Sequence, residues 1–269
     1  MIAEAFARGR TAFIPYVVAG DPDLETTAAI LDTLRGAGAD LVELGIPYGD
    51  PLADGPTIAA AAQRALGRGT RLGDVFELTR RARANGSPPI VLFTYFNPVL
   101  QYGLERFAAD AAAAGASGVI VPDVALEETA ELREVLRAHG LDMPLLVAPS
   151  TPRERAERIA RAATGFVYVV SRLGVTGAGS APDFNPLRAQ IAALREVTEK
   201  PLAVGFGVSA PEHVRDVARF ADGIIVGSAL IDAYASRGKR GEEAAQEAGS
   251  LARTLAAAAR EGARVVSSE

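Results

Sequence analysis

Cysteine is absent from this 269-residue chain. That excludes disulfides, thiolate nucleophiles and Cys-held metal sites, and it fits a reducing, cytoplasmic setting. Histidine is nearly absent: His139 and His213 are the only two. His139 sits at a helix C-terminus, where a partly cationic ring is favourable, and His213 lies within a helix, so both read as structural or solvated. No metal site is expected, and any chemistry must rest on carboxylates, hydroxyls, lysines or backbone groups. No apolar run approaches the roughly 18–20 residues needed to span a bilayer, so no membrane segment is expected. The first residues, Met1-Ile2-Ala3-Glu4-Ala5-Phe6, lack the basic region and long apolar stretch of a signal peptide. A basic stripe is also missing. The balance is 28 Lys+Arg against 33 Asp+Glu, or −5. The densest basic spots, Arg80-Arg81-Ala82-Arg83 and Arg237-Gly238-Lys239-Arg240, are short and read as solvated surface, which argues against nucleic acid.

What is present is a large apolar fraction, 49%, cut into short pieces. Eight runs stand out: Ala12–Val18, Leu41–Gly45, Ile90–Thr94, Gly118–Val121, Pro144–Val147, Phe166–Val170, Leu202–Gly205 and Gly223–Val226. They are rich in β-branched residues or flanked by Gly and Pro, and mostly do not alternate with polar residues. Strands buried on both faces read this way. Helical patterns lie between them. Leu24, Ala28, Leu31 and Leu34 recur at helical spacing before Gly36 and Gly38. Glu105–Ala114 gathers Phe107, Ala111 and Ala114 on one face. Pro152–Ala163 has Thr151 placed as N-cap and Pro152 at the first helical position. Pro211–Phe220 has Ser209 in the capping place, and Glu242–Ala263 is a long Ala-rich helix. A weak repeat of small turns (Ala37-Gly38-Ala39-Asp40, Ala114-Gly115-Ala116-Ser117 and Phe220-Ala221-Asp222-Gly223) leads into three of the strands. Strand–helix alternation implies parallel pairing. Eight units in a length near the roughly 250 residues of a (β/α)8 barrel predict a single (β/α)8 barrel domain over residues 1–269, with a loosely held tail at 262–269. An open doubly wound sheet is the alternative.

In such a barrel the working groups sit just past the C-terminal ends of the strands. Glu43 lies in mid-run, an expensive place for a charge. A buried structural ion pair and a proton-transfer group of raised pKa are equally open readings. The loop Gly45–Pro56 follows, with prolines and glycines that stiffen and turn it, and presents Asp50 and Asp54. Either would ordinarily be a turn former, but a long shaped loop at the catalytic rim tilts the reading towards function. After the sixth run, Ser171–Ser180 is rich in glycine. It reads as a mobile loop, by itself a plain flexible connection, with a lid that excludes water as the alternative. Gly205-Phe206-Gly207 and Gly227-Ser228 follow the seventh and eighth runs, the usual phosphate site of these barrels. The segment after Gly227 is set to begin a short helix whose N-terminus favours an anion.

Taken together, these segments resemble the tryptophan synthase α subunits. The resemblance rests on Phe13–Pro22, Glu43–Pro56, Pro122-Asp123, Tyr168–Arg172 with Gly174-Val175-Thr176-Gly177, Gly205–Gly207 and Gly227-Ser228. It runs from about Phe6 to Ala258. It implies retro-aldol cleavage of indole-3-glycerol phosphate to indole and glyceraldehyde 3-phosphate. On that resemblance Glu43 is the general acid and base, and Asp54 holds the indole N–H. Tyr168 orients Glu43, and Thr176 fixes Asp54. Gly177, Gly207, Gly227 and Ser228 bind phosphate. Tyr16, Phe93, Ile120 and Phe206 line the indole pocket, and Asp50 communicates with a partner. That partner would be a β subunit in an α2β2 heterotetramer. Pyridoxal phosphate would belong to the β subunit and not to this chain, where no Lys has a recognisable Schiff-base setting.

The chain departs from the family pattern at Gly49, where Ser is common, at Pro122-Asp123-Val124-Ala125, and in a short N-terminal segment that predicts a reduced barrel-bottom helix. Two other functions remain open. A sugar-phosphate isomerase or epimerase would share the glycine loops but would not call for Glu43 and Asp54. A binding-only subunit would not need either carboxylate.

Overall fold

The computed structural model describes residues 2–171, 183–205, 207, 210–235 and 238–263. Each of the eight apolar runs contains a strand: β1 (Ala12–Val18), β2 (Val42–Gly45), β3 (Ile90–Phe93), β4 (Gly118–Ile120), β5 (Leu145–Val147), β6 (Val167–Val170), β7 (Leu202–Gly205) and β8 (Gly223–Val226). Only Leu146 and Val170 among the strand residues are not fully buried, which is why the runs do not alternate with polar residues. All the pairings are parallel, in the order β4-β3-β2-β1-β8-β7-β6-β5. The two ends of this order meet. Gly118 bridges Asp142 just ahead of β5, with Val119 N–H donating to the Asp142 carbonyl at 2.8 Å and Asp142 N–H to Ser117 at 3.1 Å. A side chain at Gly118 would lie 2.7 Å from that carbonyl, so glycine is what lets the seam close. The architecture is a (β/α)8 barrel and not an open doubly wound sheet.

The helices among the described residues are α1 (Ile2–Phe6), α2 (Leu24–Gly36), α3 (Pro56–Gly67), α4 (Leu72–Ala84), α5 (Phe96–Tyr102), α6 (Leu104–Ala113), α7 (Ala130–Ala138), α8 (Arg153–Ala162), α9 (Asn185–Arg195), α10 (Pro211–Ala218), α11 (Ser228–Ala235) and α12 (Gly241–Gly262). None is long and apolar enough to cross a membrane. The short N-terminal segment still supplies a barrel-bottom helix. In α1, Ile2 is fully buried and its Cδ1 fills the space above Gly118 and Gly165, while Phe6 packs on Phe166 at 5.7 Å.

Local capping corrects one expectation. Thr151 does not cap α8: its hydroxyl accepts from Ala148 N–H at 3.0 Å, while its own N–H donates to the Ala148 carbonyl. Thr151 closes a turn backwards, and Pro152 takes the capping position with no side-chain bond. At α10 the cap is Ala210; Ser209 lies outside the described residues. At α2 the cap is Asp23, which accepts from Thr26 N–H at 2.8 Å. The glycine-rich segment after β6 and the tail from 264 onwards also lie outside the described residues.

Candidate active site

Strand β2 brings Glu43 into the barrel at the register position beside Tyr16 of β1. It is 2% exposed, and its Oε2 has no hydrogen-bond partner among the described residues. The molecule's other buried carboxylates are treated differently. Asp40 accepts from Arg8, Arg10 and the Phe13 N–H, and Asp21 from Arg64 and Tyr234. Among the described residues Glu43 has no such cation, so no ion pair there accounts for its burial. Burial, reinforced by the charge of Asp54, pushes its pKa up to about 8, as expected for a carboxyl taken from water without compensation.

Asp54 arrives from the loop after β2. Tight turns, Leu52 N–H to the Asp50 carbonyl at 3.0 Å and Asp54 N–H to Pro51 at 3.1 Å, fold that loop back, and Gly55 and Pro56 start α3 directly behind it. Burial raises the Asp54 pKa to about 6, against the opposing effect of a hydrogen bond from Tyr95. Two carboxyls in one cavity thus hold different charges near neutrality: Glu43 mostly protonated, Asp54 mostly ionised. Such a split is how one site carries an acid and an anion together. Because the two interact, the titrations belong to the pair.

The two meet in a cavity of about 360 Å³ at the C-terminal end of the barrel, whose wall also holds Tyr16, Phe93, Tyr168, Gly207, Gly227 and Ser228. The hydroxyls of Tyr16 and Tyr168 are held well above their ordinary pKa by burial, and both feel Glu43 and Asp54. Gly207 has φ +78°, a conformation few other residues adopt. Gly227 precedes α11, whose first bonds run from the Leu230 and Ile231 N–H groups to the Gly227 carbonyl. The N–H groups of Ser228 and Ala229 therefore precede the first helical bond, at a positive helix end where an anion is favoured. Of the other expected site residues, Ile120 is fully buried beside Phe93 in the register but is not in this wall, where Ile58 and Ile225 stand instead. Asp50 is exposed on the rim, outside the cavity. Thr176, Gly177 and Phe206 lie outside the described residues.

The contacts of some neighbouring side chains are not legible in the sequence. Tyr95 bonds Asp54, accepts from Ala53 N–H at 3.1 Å and packs on Tyr48 at 5.2 Å. In the string Phe93-Thr94-Tyr95-Phe96 it reads as one more core aromatic. Asp123, after β4, accepts from Phe96 N–H at 2.9 Å and so fixes the start of α5 next to Tyr95. Asp232 on α11 lines the cavity and accepts from Thr57 of α3 at 3.3 Å.

Glycine at the strand ends makes room for the tyrosines. A Cβ at Gly45 would stand 2.3 Å from the Tyr16 hydroxyl, and one at Gly205 would stand 2.3 Å from that of Tyr168. Gly45→Ala is therefore expected to cost about 1–3 kcal/mol by overpacking and to lower activity. Adding Tyr16→Phe, which removes the nearest atom, should recover part of the stability in urea unfolding. No recovery in the double variant would mean that the contact is not what excludes a side chain.

A second cavity of about 290 Å³ opens between α8 and α9. Of its charged residues, Arg153 and Glu157 are paired at 3.1 Å and Asp183 accepts from Asn185 N–H at 2.9 Å, so no unsatisfied charged group stands in it among the described residues.

A family model described as "Tryptophan synthase alpha chain" matches residues 2–260. The chain belongs to the tryptophan synthase α-chain family. It is 52% identical over 237 residues to the tryptophan synthase α chain of Gloeobacter violaceus, covering 88% of this chain and 86% of that one. It is 47% identical over 235 residues to the Arabidopsis thaliana protein of the same name, covering 86% and 85%. Among solved structures, tryptophan synthase subunit α of Legionella pneumophila superposes with a TM-score of 0.86 at 36% identity, covering 96% and 95%. A tryptophan synthase chain of M. tuberculosis gives 0.85 at 35%, covering 96% of each. As a tryptophan synthase α chain it is a lyase of amino-acid biosynthesis that cleaves indole-3-glycerol phosphate. An isomerase or binding-only reading is no longer needed.

Proposed function

We propose that Glu43 is the acid and base of this cleavage and Asp54 the anchor of the indole nitrogen. One observation carries the reading: a buried carboxyl without a cation, Oε2 unpartnered, opens onto the same cavity as an ionised carboxylate. Protonated Glu43 gives its proton to indole C3, and the ring nitrogen takes up positive charge against Asp54. Glu43, now ionised, withdraws the proton of the side-chain hydroxyl next to C3. The bond from C3 to that carbon breaks, its electron pair returns to the ring, and the carbon becomes the aldehyde of glyceraldehyde 3-phosphate. The proton count closes, with Glu43 protonated at the end as at the start. Stabilising charge where it develops is the effective use of a fixed anion in a dry site.

In this reading Tyr168 orients Glu43, and Gly207, Gly227 and Ser228 take the phosphate. Tyr16 and Phe93 hold the indole. Family resemblance adds Gly177 to the phosphate site, Phe206 and Ile120 to the pocket, and Thr176 as the residue that fixes Asp54. The chain itself needs no metal or cofactor. Its partner is a β subunit that carries pyridoxal phosphate, in an α2β2 assembly in the cytoplasm. The rim loop with Asp50 suits that contact, because Leu52 beside it is 82% exposed, an unusual position for a large apolar side chain without a partner surface. Gly49 has open space around it and no positive φ, so Gly49→Ser fits without strain.

The test is release of indole from indole-3-glycerol phosphate, with and without a cognate β subunit, across pH. Activity requires Asp54 ionised and Glu43 protonated. The kcat/KM profile is therefore expected to be a bell, rising through about pH 6 and falling through about pH 8. A flat profile between 5 and 9 would remove the assigned protonation states, and no indole under either condition would remove the reading itself.

A further inference from the structure

Asp21 belongs to neither carboxylate pair nor pocket, yet it is fully buried, in the loop that leaves β1. Both of its oxygens are used. Oδ1 accepts from Arg64 Nε at 2.7 Å; Oδ2 accepts from Arg64 Nη2 at 3.0 Å and from the Tyr234 hydroxyl at 3.0 Å. Arg64 lies on α3, the helix that begins directly after Asp54. Tyr234, itself fully buried, lies on α11, the helix that opens with Ser228. One carboxylate therefore ties together the βα loops after β1, β2 and β8. A bidentate guanidinium on one side fixes its plane and leaves one lone-pair direction for the tyrosine. A direct side-chain bond between α3 and α11, from Thr57 to Asp232, is longer, at 3.3 Å. Tyr234 stands about one and a half turns down the helix from the N–H groups of Ser228 and Ala229, so its anchor sets where that positive end points.

We propose that Asp21, through Tyr234, is a positioning residue that aims the N-terminus of α11 at the substrate's phosphate. The inference rests on the reading of Gly227-Ser228 as the phosphate site. A helix end acts on an anion only within its first turn, so a small tilt of α11 costs phosphate affinity without touching Glu43 or Asp54.

The test uses the full chain with indole-3-glycerol phosphate as substrate, and inorganic phosphate and indole as separate inhibitors. Tyr234→Phe removes one hydroxyl and leaves the Asp21–Arg64 pair. It is expected to raise KM and the inhibition constant of phosphate roughly tenfold, with kcat and the inhibition constant of indole within about twofold. Asp21→Asn, which keeps the shape, should give the same split, and it serves if Tyr234→Phe does not fold. Tyr102→Phe is the control, since Tyr102 donates to Asp110 at 2.5 Å far from α11; it should lower stability and leave both constants unchanged. Unchanged phosphate affinity in folded Tyr234→Phe overturns the inference, as does an equal loss for Tyr102→Phe. Ser228→Ala separates the two layers. If it also leaves phosphate affinity unchanged, the phosphate site itself is wrong; if it weakens phosphate and Tyr234→Phe does not, only the positioning role is.

Discussion

Glu43→Gln is expected to slow indole release by ~10³–10⁴-fold, near the upper range for loss of a proton-transfer group, while indole-3-glycerol phosphate still binds within a few-fold of its normal affinity. The amide has the shape of the carboxyl but can neither protonate C3 nor take the hydroxyl proton. The pocket and the phosphate grip are untouched. The same substitution should make the fold more stable at neutral and mildly alkaline pH. Glu43 is raised from an ordinary value of 4.5 to about 8, so the folded chain holds its proton more tightly than the unfolded one. Its contribution to stability is fully present below about pH 4.5 and is lost as the pH rises through about 8. At pH 7 the loss amounts to about 3 kcal/mol, at about 1.4 kcal/mol for each pH unit crossed. Glutamine does not titrate and escapes this loss, less whatever its own buried N–H₂ costs when unpaired. Urea unfolding of both proteins at pH 5 and pH 8 measures it: the gain for the variant should be larger at pH 8. Near-normal turnover would overturn the role of Glu43, and a gain independent of pH would mean that its buried charge is compensated.

Asp54→Asn is expected to lower kcat/KM by ~10²–10³-fold, the usual cost of removing a group aimed at charge that develops in the transition state. Asparagine still offers an oxygen to the indole N–H, so ground-state binding should weaken little and the loss should fall mainly on kcat. A second signature distinguishes this from simple misfolding. The charge of Asp54 is one of the two causes that raise the Glu43 pKa. Without it, the alkaline limb of the pH profile should move down from about 8, and the acid limb near 6 should disappear. A variant that keeps both limbs in place would show that the two carboxyls do not share a field.

The barrel was legible because its strands are buried on both faces, which writes each as an unbroken apolar run; all eight are where those runs lie. Helix ends were less legible, because a cap depends on which way one side chain turns. Thr151 has the right type in the right place, and its hydroxyl faces back to Ala148. At the site, Glu43 could be singled out as a charge in an apolar run but not interpreted. Whether a buried carboxyl is paired depends on residues far off in sequence. Asp40 and Asp21 recruit arginines and Glu43 does not. Tyr95 was hidden for the opposite reason: its neighbours are aromatic, and only its contacts with Asp54 and Ala53 set it apart. Asp21 stood in plain view in the run Gly20-Asp21-Pro22 with nothing nearby to reveal its partners.

Asp21 and Tyr234 lie far apart in the sequence. The Tyr234 hydroxyl reaches Asp21 across 213 positions, and Gly241 N–H reaches Thr26 across 215; β1 and β8 are neighbours in the barrel. A chain emerging from a ribosome can pair β1 with β2, β2 with β3 and β3 with β4 as they appear, but the other edge of β1 stays bare until β8 has been made. Such an edge invites pairing with other chains, and contacts of this span are the slow ones. The substrate pocket therefore cannot close before β8 and α11 have been made, and a product truncated ahead of β8 would expose the flank of its first strand.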